Sequence, residues 1–424
     1  MDIPQGYKQT ELGIIPEDWE VKSFSQVFDM YPNNTYPRDC MNDSYGAIRN
    51  IHYGDILIKY PTIVDVERCS IPYLNEDVKI KAQKFVQSGD VIIADTAEDE
   101  TVGKCVEIKN AINAKIVSGL HTFFCHPIRI FAIGWWGYYL NSSNYHNQLL
   151  PYITGIKVSS ISRASIQETK LLVPPIAEQK AIAEALGDID GLIATLDKKI
   201  AKKHLIKQGA MQQLLTGKKR LPGFSDPWVE KKFSDLYRYA SEGGTPDTNN
   251  MRFYANGDVP FVKIEDTETK YIESCNSFIT SEGINNSSAW IVPVNSIIYT
   301  NGATIGNVSI NKIPVATKQG ILGIIPSSII NLEFMYYLLL SQNFKREVDS
   351  RQAKGTFATI ILKSLDEIPI YLPLNQMEQI AIATILSDMD KEIADLEAQR
   401  DKYRLLKSGM MQKLLTGQIR LKIK

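Results

Sequence analysis

The chain has 424 residues, 44% hydrophobic and 22% charged, with a formal net charge of −1 at pH 7. This is the composition of an ordinary globular protein, and it excludes a global basic field, so any nucleic-acid binding must rest on local patches. The five cysteines (Cys40, Cys69, Cys105, Cys125 and Cys275) are scattered and odd in number, which points to reduced thiols rather than a disulfide framework.

The opening residues carry no basic-then-apolar leader pattern, and no apolar run approaches the ~18 residues of a membrane span. A cytoplasmic protein without a membrane partner is expected. The first segment, 1–173, leads in through Glu11-Leu-Gly-Ile-Ile-Pro-Glu-Asp-Trp19. It continues in short β-like runs such as Val91-Ile-Ile-Ala94, bounded by Gly, Asn and Pro. Pro174-Pro175 then marks a helix start. Over 174–217, Leu186, Ile189, Ile193, Leu196 and Ile200 recur at alternating steps of three and four, the a/d seam of a coiled coil. Such a seam needs a partner helix.

The third segment, 218–373, returns to strand-like runs such as Ile297-Ile-Tyr299, with a helical stretch at Phe334-Met-Tyr-Tyr-Leu-Leu-Leu340. The last, 374–424, is helical again. Leu386, Met389, Ile393 and Leu396 form its seam, and Arg400 stands where the first helix has Ile200. Asn375 with Glu378 fits an N-cap and its N3 acid, and Gly217 and Gly417 suit helix ends.

Segment Glu178–Leu221 recurs as Glu378–Leu421, 200 positions later and without a gap. Roughly half of the aligned positions are identical, a signature to be read before any fold is assigned. Glu-Gln-x-Ala-Ile-Ala opens both copies and Met-Gln-x-Leu-Leu-Thr-Gly closes both. From its Pro- or Asn-led start to Thr-Gly each runs ~38 residues and would span ~57 Å as a helix. The preceding segments correspond more loosely: Asp18-Trp19 with Pro227-Trp228, Trp135-Trp136-Gly-Tyr-Tyr-Leu140 with Phe334–Leu340, and Gly155 with Gly355. The helices are kept and the heads differ. The lead-in that follows the first helix is missing after the second and appears at the N-terminus instead. The expected architecture is therefore α+β: two mixed α/β domains separated by two long antiparallel helices forming a coiled coil, pseudo-two-fold and circular, with the chain ends near each other.

Motifs for catalysis are weak. Asp258 with Glu268-Thr-Lys270 has the rough shape of a nuclease site but lacks its context. Leu-Val-Pro174-Pro175-Ile lacks the flanking residues of an amino-methyltransferase motif. Gly302-Ala-Thr-Ile-Gly306 is too short for a phosphate loop. His121 and Cys125 have no Cys-x-x-Cys companion for zinc. No catalytic or metal-ligating set is assigned, and no cofactor is expected in this chain.

With its duplicated Glu-Gln helix starts, Leu-Leu-Thr-Gly ends and divergent heads, the chain resembles the specificity subunit of a type I restriction–modification enzyme. Further matching pieces are Ser241-Glu-Gly243-Gly244-Thr245-Pro246, Asn301-Gly-Ala-Thr-Ile-Gly306, Lys318-Gln319-Gly320-Ile321, Lys354-Gly355-Thr356 and Arg220-Leu-Pro-Gly-Phe224. In the first head the loop corresponding to Gly243-Gly244 reads Tyr31-Pro-Asn-Asn-Thr35-Tyr-Pro37, without the glycine pair. The resemblance implies two target recognition domains, each reading one half of a split site in double-stranded DNA. It implies helices that set the gap and dock two modification (methyltransferase) subunits, which carry S-adenosylmethionine and methylate a flipped-out adenine. Restriction (translocase/nuclease) subunits would add ATP- and Mg-dependent activity. The chain itself would be non-catalytic.

Phosphate contacts call for Lys, Arg, Ser, Thr or backbone amides, and base readout for bidentate polar side chains. The candidates in the first head are Asn50, Thr101, Lys104, His121, Lys157, Ser159, Ser160 and Arg163. In the second they are Thr245, Lys263, Thr304, Lys318, Gln319, Arg351, Lys354 and Thr356. The acid-free run from Lys198 to Arg220 reads equally as a DNA-phosphate face, a solvated coiled-coil flank or a dock for an acidic partner. Two other functions remain open on sequence alone: a coiled-coil adaptor without its own readout, and an unrecognised nuclease or methyltransferase.

Overall fold

The computed structural model describes residues 3–78, 84–155, 157–302, 304–352 and 359–422. Its contacts divide the chain into two units: 1–197 with 398–424, and 198–397.

In the first unit, strands Glu20–Ser23 and Lys170–Val173 pair antiparallel and close the head. Between them lies a five-stranded sheet in the order Phe28–Tyr31, Thr122–Pro127, Val91–Ala94, Cys105–Lys109, Ile63–Asp65. Only the last strand runs parallel to its neighbour. All four residues of Val91–Ala94 are buried because the sheet is covered on both faces. Val91 and Ile93 join the core that contains Trp19 and Trp135, while Ile92 and Ala94 join the core of Ile51, Val64 and Ile116. A smaller sheet contains the parallel pair Arg49–Ile51 and Ile116–Ser118.

The second unit repeats the plan. Val229–Lys232 pairs with Pro369–Leu372. The five-stranded sheet runs Tyr237–Glu242, Ile321–Pro326, Ile297–Thr300, Val308–Asn311, Tyr271–Ile272, again with only the last pair parallel. Ile297 and Tyr299 face one core and Ile298 the other. A parallel pair, Val259–Val262 with Val315–Thr317, lies in the smaller sheet.

The two long helices are Ile176–Leu214 and Gln376–Leu414, 39 residues each. Each unit contains part of both, and within each the parts run antiparallel. In the first unit Lys407 Nζ lies 2.7 Å from Asp190, and Arg404 Nη2 lies 3.5 Å from Asp197. In the second, Lys203 Nζ lies 2.7 Å from Glu392, and Lys207 pairs with Asp390. Of the seam positions, Leu186, Ile189, Ile200, Leu386, Ile393 and Leu396 are buried, and Ile193, Leu196 and Met389 are half-buried. Leu186 and Leu386 also enter the cores of their own heads. Arg400, in place of an apolar seam residue, approaches Asp197 at 3.7 Å.

The repeated motifs fasten helix to head. Glu378 is fully buried, receives both arms of Arg220 at 2.6 and 2.8 Å, and accepts from Trp228 Nε1 at 3.3 Å. Glu178, equally buried, receives Arg420 at 3.0 and 2.6 Å and Trp19 Nε1 at 2.9 Å. Gln179 and Gln379 bind backbone on both sides of their amides: Ala132 N and Pro174 O for Gln179, and Asn331 N and Pro373 O for Gln379. Gly217, at φ +68°, lies so close to Trp228 that a Cβ would stand 3.2 Å from the ring. A second repeated contact joins Tyr138 OH to Asp190 at 2.8 Å and Tyr337 OH to Asp390 at 2.7 Å.

The circular organisation is visible in the first unit. Tyr7 OH donates to Gly417 O at 3.0 Å, and Arg420 pairs with Asp18 at 2.8 Å, so both ends of the chain belong to one head.

Candidate nucleic-acid interface

In the second unit three connections converge at one end of the five-stranded sheet. Gly320 N donates to Glu242 Oε1 at 2.7 Å, and Asn301 N and Gly302 N donate to Gly320 O at 2.9 and 3.1 Å. Gly243 N donates to Ile321 O at 3.0 Å, and a Cβ there would fall 1.9 Å from Thr317 O, so the close approach requires glycine. Gln319 N reaches Thr245 Oγ1 at 3.4 Å, and Lys318 N donates to Val262 O at 3.1 Å, next to Lys263. This geometry brings Thr245, Lys263, Lys318 and Gln319 together, with Lys318 and Gln319 exposed.

Thr304 is exposed on the connection that begins at Asn301. Arg351 stands apart: it ends helix Gln342–Arg351 and is held by Glu347 one turn earlier. Lys354 and Thr356 lie outside the described residues. The chain re-enters the cluster at Ile360, whose N–H donates to Asn301 O at 3.0 Å.

The first unit builds the same frame from different side chains. Asp95 N donates to His121 O at 3.1 Å, and Ile161 N donates to Asp95 O at 2.9 Å. These bonds repeat those of Asn301 with Gly320 and Ile360, so Asp95 corresponds to Asn301 and His121 to Gly320. His121 is half-exposed, with Nδ1 3.3 Å from Asp95 Oδ1 and its ring edge-on to Tyr53 at 5.3 Å. Ser159 and Ser160 form a short strand against Thr96–Ala97, which places them beside His121. Lys157 is exposed just before them.

Four other first-head candidates have different surroundings. Asn50 is fully buried, because it sits in the strand that pairs with Ile116–Ser118, at the position of Phe261 in the second head. Its carboxamide accepts from Asn34 Nδ2 at 2.6 Å and donates to Met41 Sδ at 3.5 Å. That corrects its reading as a surface contact: it is an internal strut. Asn34, itself buried, also donates to Ser118 O at 2.9 Å, so an amide pair fills the place that glycine backbone occupies in the second head. Lys104 donates to Leu57 O at 2.7 Å, capping a helix end, and burial lowers its pKa. Arg163 donates to Met30 O at 2.7 Å. Thr101 is exposed but folds its hydroxyl onto Asp99.

The nuclease-like pattern does not assemble. Lys270 is spent on Glu333 at 2.8 Å and Tyr337 at 3.0 Å. Sequence reasoning missed Asp95, Thr96, Tyr53 and Glu242. Aligning Val-Ile-Ile-Ala-Asp95 with Ile-Ile-Tyr-Thr-Asn301 by the ends of their strands would have found Asp95.

Two units of one plan, each a two-sheet head fastened to antiparallel helix segments, with a shared loop frame carrying different side chains, define a duplicated recognition protein. Residues 225–403 match the family model described as type I restriction modification DNA specificity domain. Over 436 residues the chain is 25% identical to a protein of Methanocaldococcus jannaschii named "Putative type I restriction enzyme MjaX specificity subunit", spanning 99% of this chain and 97% of that one. It is 32% identical over 177 residues to the type I restriction enzyme MjaIX specificity subunit of the same organism, covering 41% of this chain and 40% of that one. The solved S subunit of a type I restriction–modification system from M. genitalium shares the fold, with a TM-score of 0.56 at 13% identity and 98% of both chains covered. Along nearly its whole length the chain is similar to type I restriction–modification specificity subunits. Among the described residues, no helix is long and apolar enough to cross a membrane.

Proposed function

We propose that the chain is the non-catalytic subunit that gives a type I restriction–modification complex its DNA sequence. The heads within 1–173 and 218–373 each read one half of an asymmetric bipartite site. The helices within 174–217 and 374–424 set the unspecified gap between the halves and dock two adenine-methyltransferase subunits. Restriction subunits join the same complex, and S-adenosylmethionine, ATP and Mg belong to these partners.

The observation that carries this reading is the pair of loop clusters. Their backbone hydrogen bonds coincide, at Asn301–Gly320–Ile360 and Asp95–His121–Ile161, while the presented side chains differ. A common frame with unlike contacts is what two unlike half-sites require, since base readout depends on the side chains that reach the groove edges. Lys318 and Gln319 in one head, and His121, Lys157 and Ser160 in the other, are the chemistry on offer.

The test is co-expression with the modification subunit, followed by sequencing of methylated adenines. A split motif with two unlike halves is expected, and replacing residues 1–173 should change one half alone. Methylation by the lone chain would overturn the reading, and so would an assembled complex of both subunits that leaves DNA unmodified.

A further inference from the structure

Among the described residues, non-glycine backbone in the left-handed region occurs at Asn110, Asn113, Asn256, Asn295 and His121. Four are asparagines, which favour that conformation because their short amides bond locally. His121, at φ +54°, is the remaining one. Its counterpart in the second head is a glycine, Gly320, at φ +86°. Both heads therefore need a left-handed residue at this turn. One uses the residue that adopts it without strain, and the other holds an imidazole there. Backbone strain of this kind persists where the side chain is wanted and its surroundings fix it.

The surroundings fix it closely. Nδ1 lies 3.3 Å from Asp95 Oδ1 and 3.4 Å from Thr96 Oγ1. The Thr96 hydroxyl already donates to Asp95 Oδ1 at 2.7 Å, so it has only a lone pair to offer the ring. A carboxylate can only accept, so both neighbours require the proton on Nδ1. Tyr53 stands edge-on to the ring at 5.3 Å. In the second head the same space is closed: a Cβ on Gly302, the counterpart of Thr96, would lie 3.0 Å from Gly320 Cα. The first head thus opens its turn and aims a ring from it, with nearly half of the side chain (48%) exposed.

We infer that His121 is a specificity-determining residue of the first head, oriented by Asp95 and Thr96, and that its Nε2 accepts a hydrogen bond from the exocyclic amine of an adenine or a cytosine in the major groove. With Nδ1 protonated, the neutral ring presents a lone pair at Nε2. In that groove adenine N6 and cytosine N4 are the amines on offer, whereas guanine and thymine present acceptors. The inference rests on the proposed function and adds to it an atom, a polarity and a base class. Asp95 and Thr96 are positioning residues.

The experiment uses the full complex with its methyltransferase partner and reads the methylated motif for His121→Gly and His121→Asn. Both replacements suit a positive φ, so the fold should be kept, with an unchanged or higher Tm. The expected result is that one A- or C-specific position in one half-site becomes degenerate, by tenfold or more in relative methylation, while the other half-site stays stringent. Asp95→Asn should blur the same position, because an amide can offer the ring a donor and release the other tautomer. An unchanged motif in both His121 variants overturns the inference, as does relaxation at a G or T position. If the wild-type complex gives no bipartite motif, the proposed function fails first, so the two failures are distinguishable.

Discussion

Arg220 donates through both arms of its guanidinium to Glu378, although the two residues lie 158 positions apart. Glu378 is fully buried, whereas Arg220 is 27% exposed, so the guanidinium is the charged partner that offsets the burial of the carboxylate. Arg220→Ala should cost about 3 kcal/mol, since removing one partner leaves the other buried and uncompensated. Arg220→Lys should recover only part of that, because an ammonium cannot make the two-armed contact. Denaturant unfolding followed by hydrogen exchange across 198–397 measures this. A lysine variant as stable as the wild type would refute the fork as the source of stability.

Two glycines, one within the first long helix and one just past its end, should respond with opposite signs. Gly217 is left-handed and packed against Trp228, so Gly217→Ala should lose about 1–2 kcal/mol. Gly209 is helical with no neighbour near its missing Cβ, so Gly209→Ala should gain about 0.5–1 kcal/mol. Thermal melts of the two variants decide it, and matching signs would contradict the account.

Burial lifts the Glu107 carboxyl from 4.5 to about 7, although the Gly137 and Gly134 N–H groups donate to it at 2.7 and 2.8 Å. Because the folded value lies above the unfolded one, the native state binds the extra proton between them. The contribution is therefore fully present below about pH 4.5 and lost as the pH rises through about 7. The loss amounts to at most about 3 kcal/mol at 1.36 kcal/mol per unit. Glu107→Gln removes the titration. Urea midpoints from pH 5 to pH 8 should fall more for the wild type than for the variant, and parallel profiles would exclude Glu107 as the cause.

Lys318 and Gln319 present exposed side chains from one turn of the second loop cluster. Gln319→Ala, as loss of a base contact, should weaken discrimination by about 1–3 kcal/mol in the half-site read by the second head. Lys318→Ala should lower affinity evenly across sequences and flatten the salt dependence, as loss of a phosphate contact does. Methylated-motif sequencing and binding titrations at several salt concentrations separate the two, and relaxation of the other half-site would contradict the assignment of heads.

Leu205 is 68% exposed and Leu405 76% exposed, at matched positions of the two helices. On the proposal that they are docking points for the modification subunits, each should tolerate Asp without unfolding. Either single variant should carry one modification subunit in place of two, and the double variant none. Mass measurement of the purified complexes reads this directly, and retention of two partners by the double variant would place the docking face elsewhere.

The helices were legible because periodicity and duplication are local signals, and Leu186 and Leu386 sit where the seam required. The fasteners were only half legible. Glu178 and Glu378 read as helix-start acids, but nothing local says that Arg420 and Arg220 complete them, 242 and 158 positions away. The loop sites were least legible. Asn50 and Lys104 look like polar surface residues in sequence, yet one is a strut inside a sheet and the other caps a helix, because tertiary pairing decides which polar groups are consumed internally. His121 gave a signal, but its strain and its holder Asp95 became visible only with the backbone.

The second unit is one uninterrupted stretch, whereas the first is sewn together from both ends of the chain. The Trp228–Glu378 bond spans 150 positions, and the Tyr7–Gly417 bond spans 410. During synthesis at ~5–20 residues per second, the 242 positions from Glu178 to Arg420 keep the earliest-made head waiting roughly 12–48 seconds for its closing piece. Over that interval Glu178 has been made and its arginine has not. The head made first is the one finished last, which makes it the half of the protein most in need of a chaperone's attention at birth.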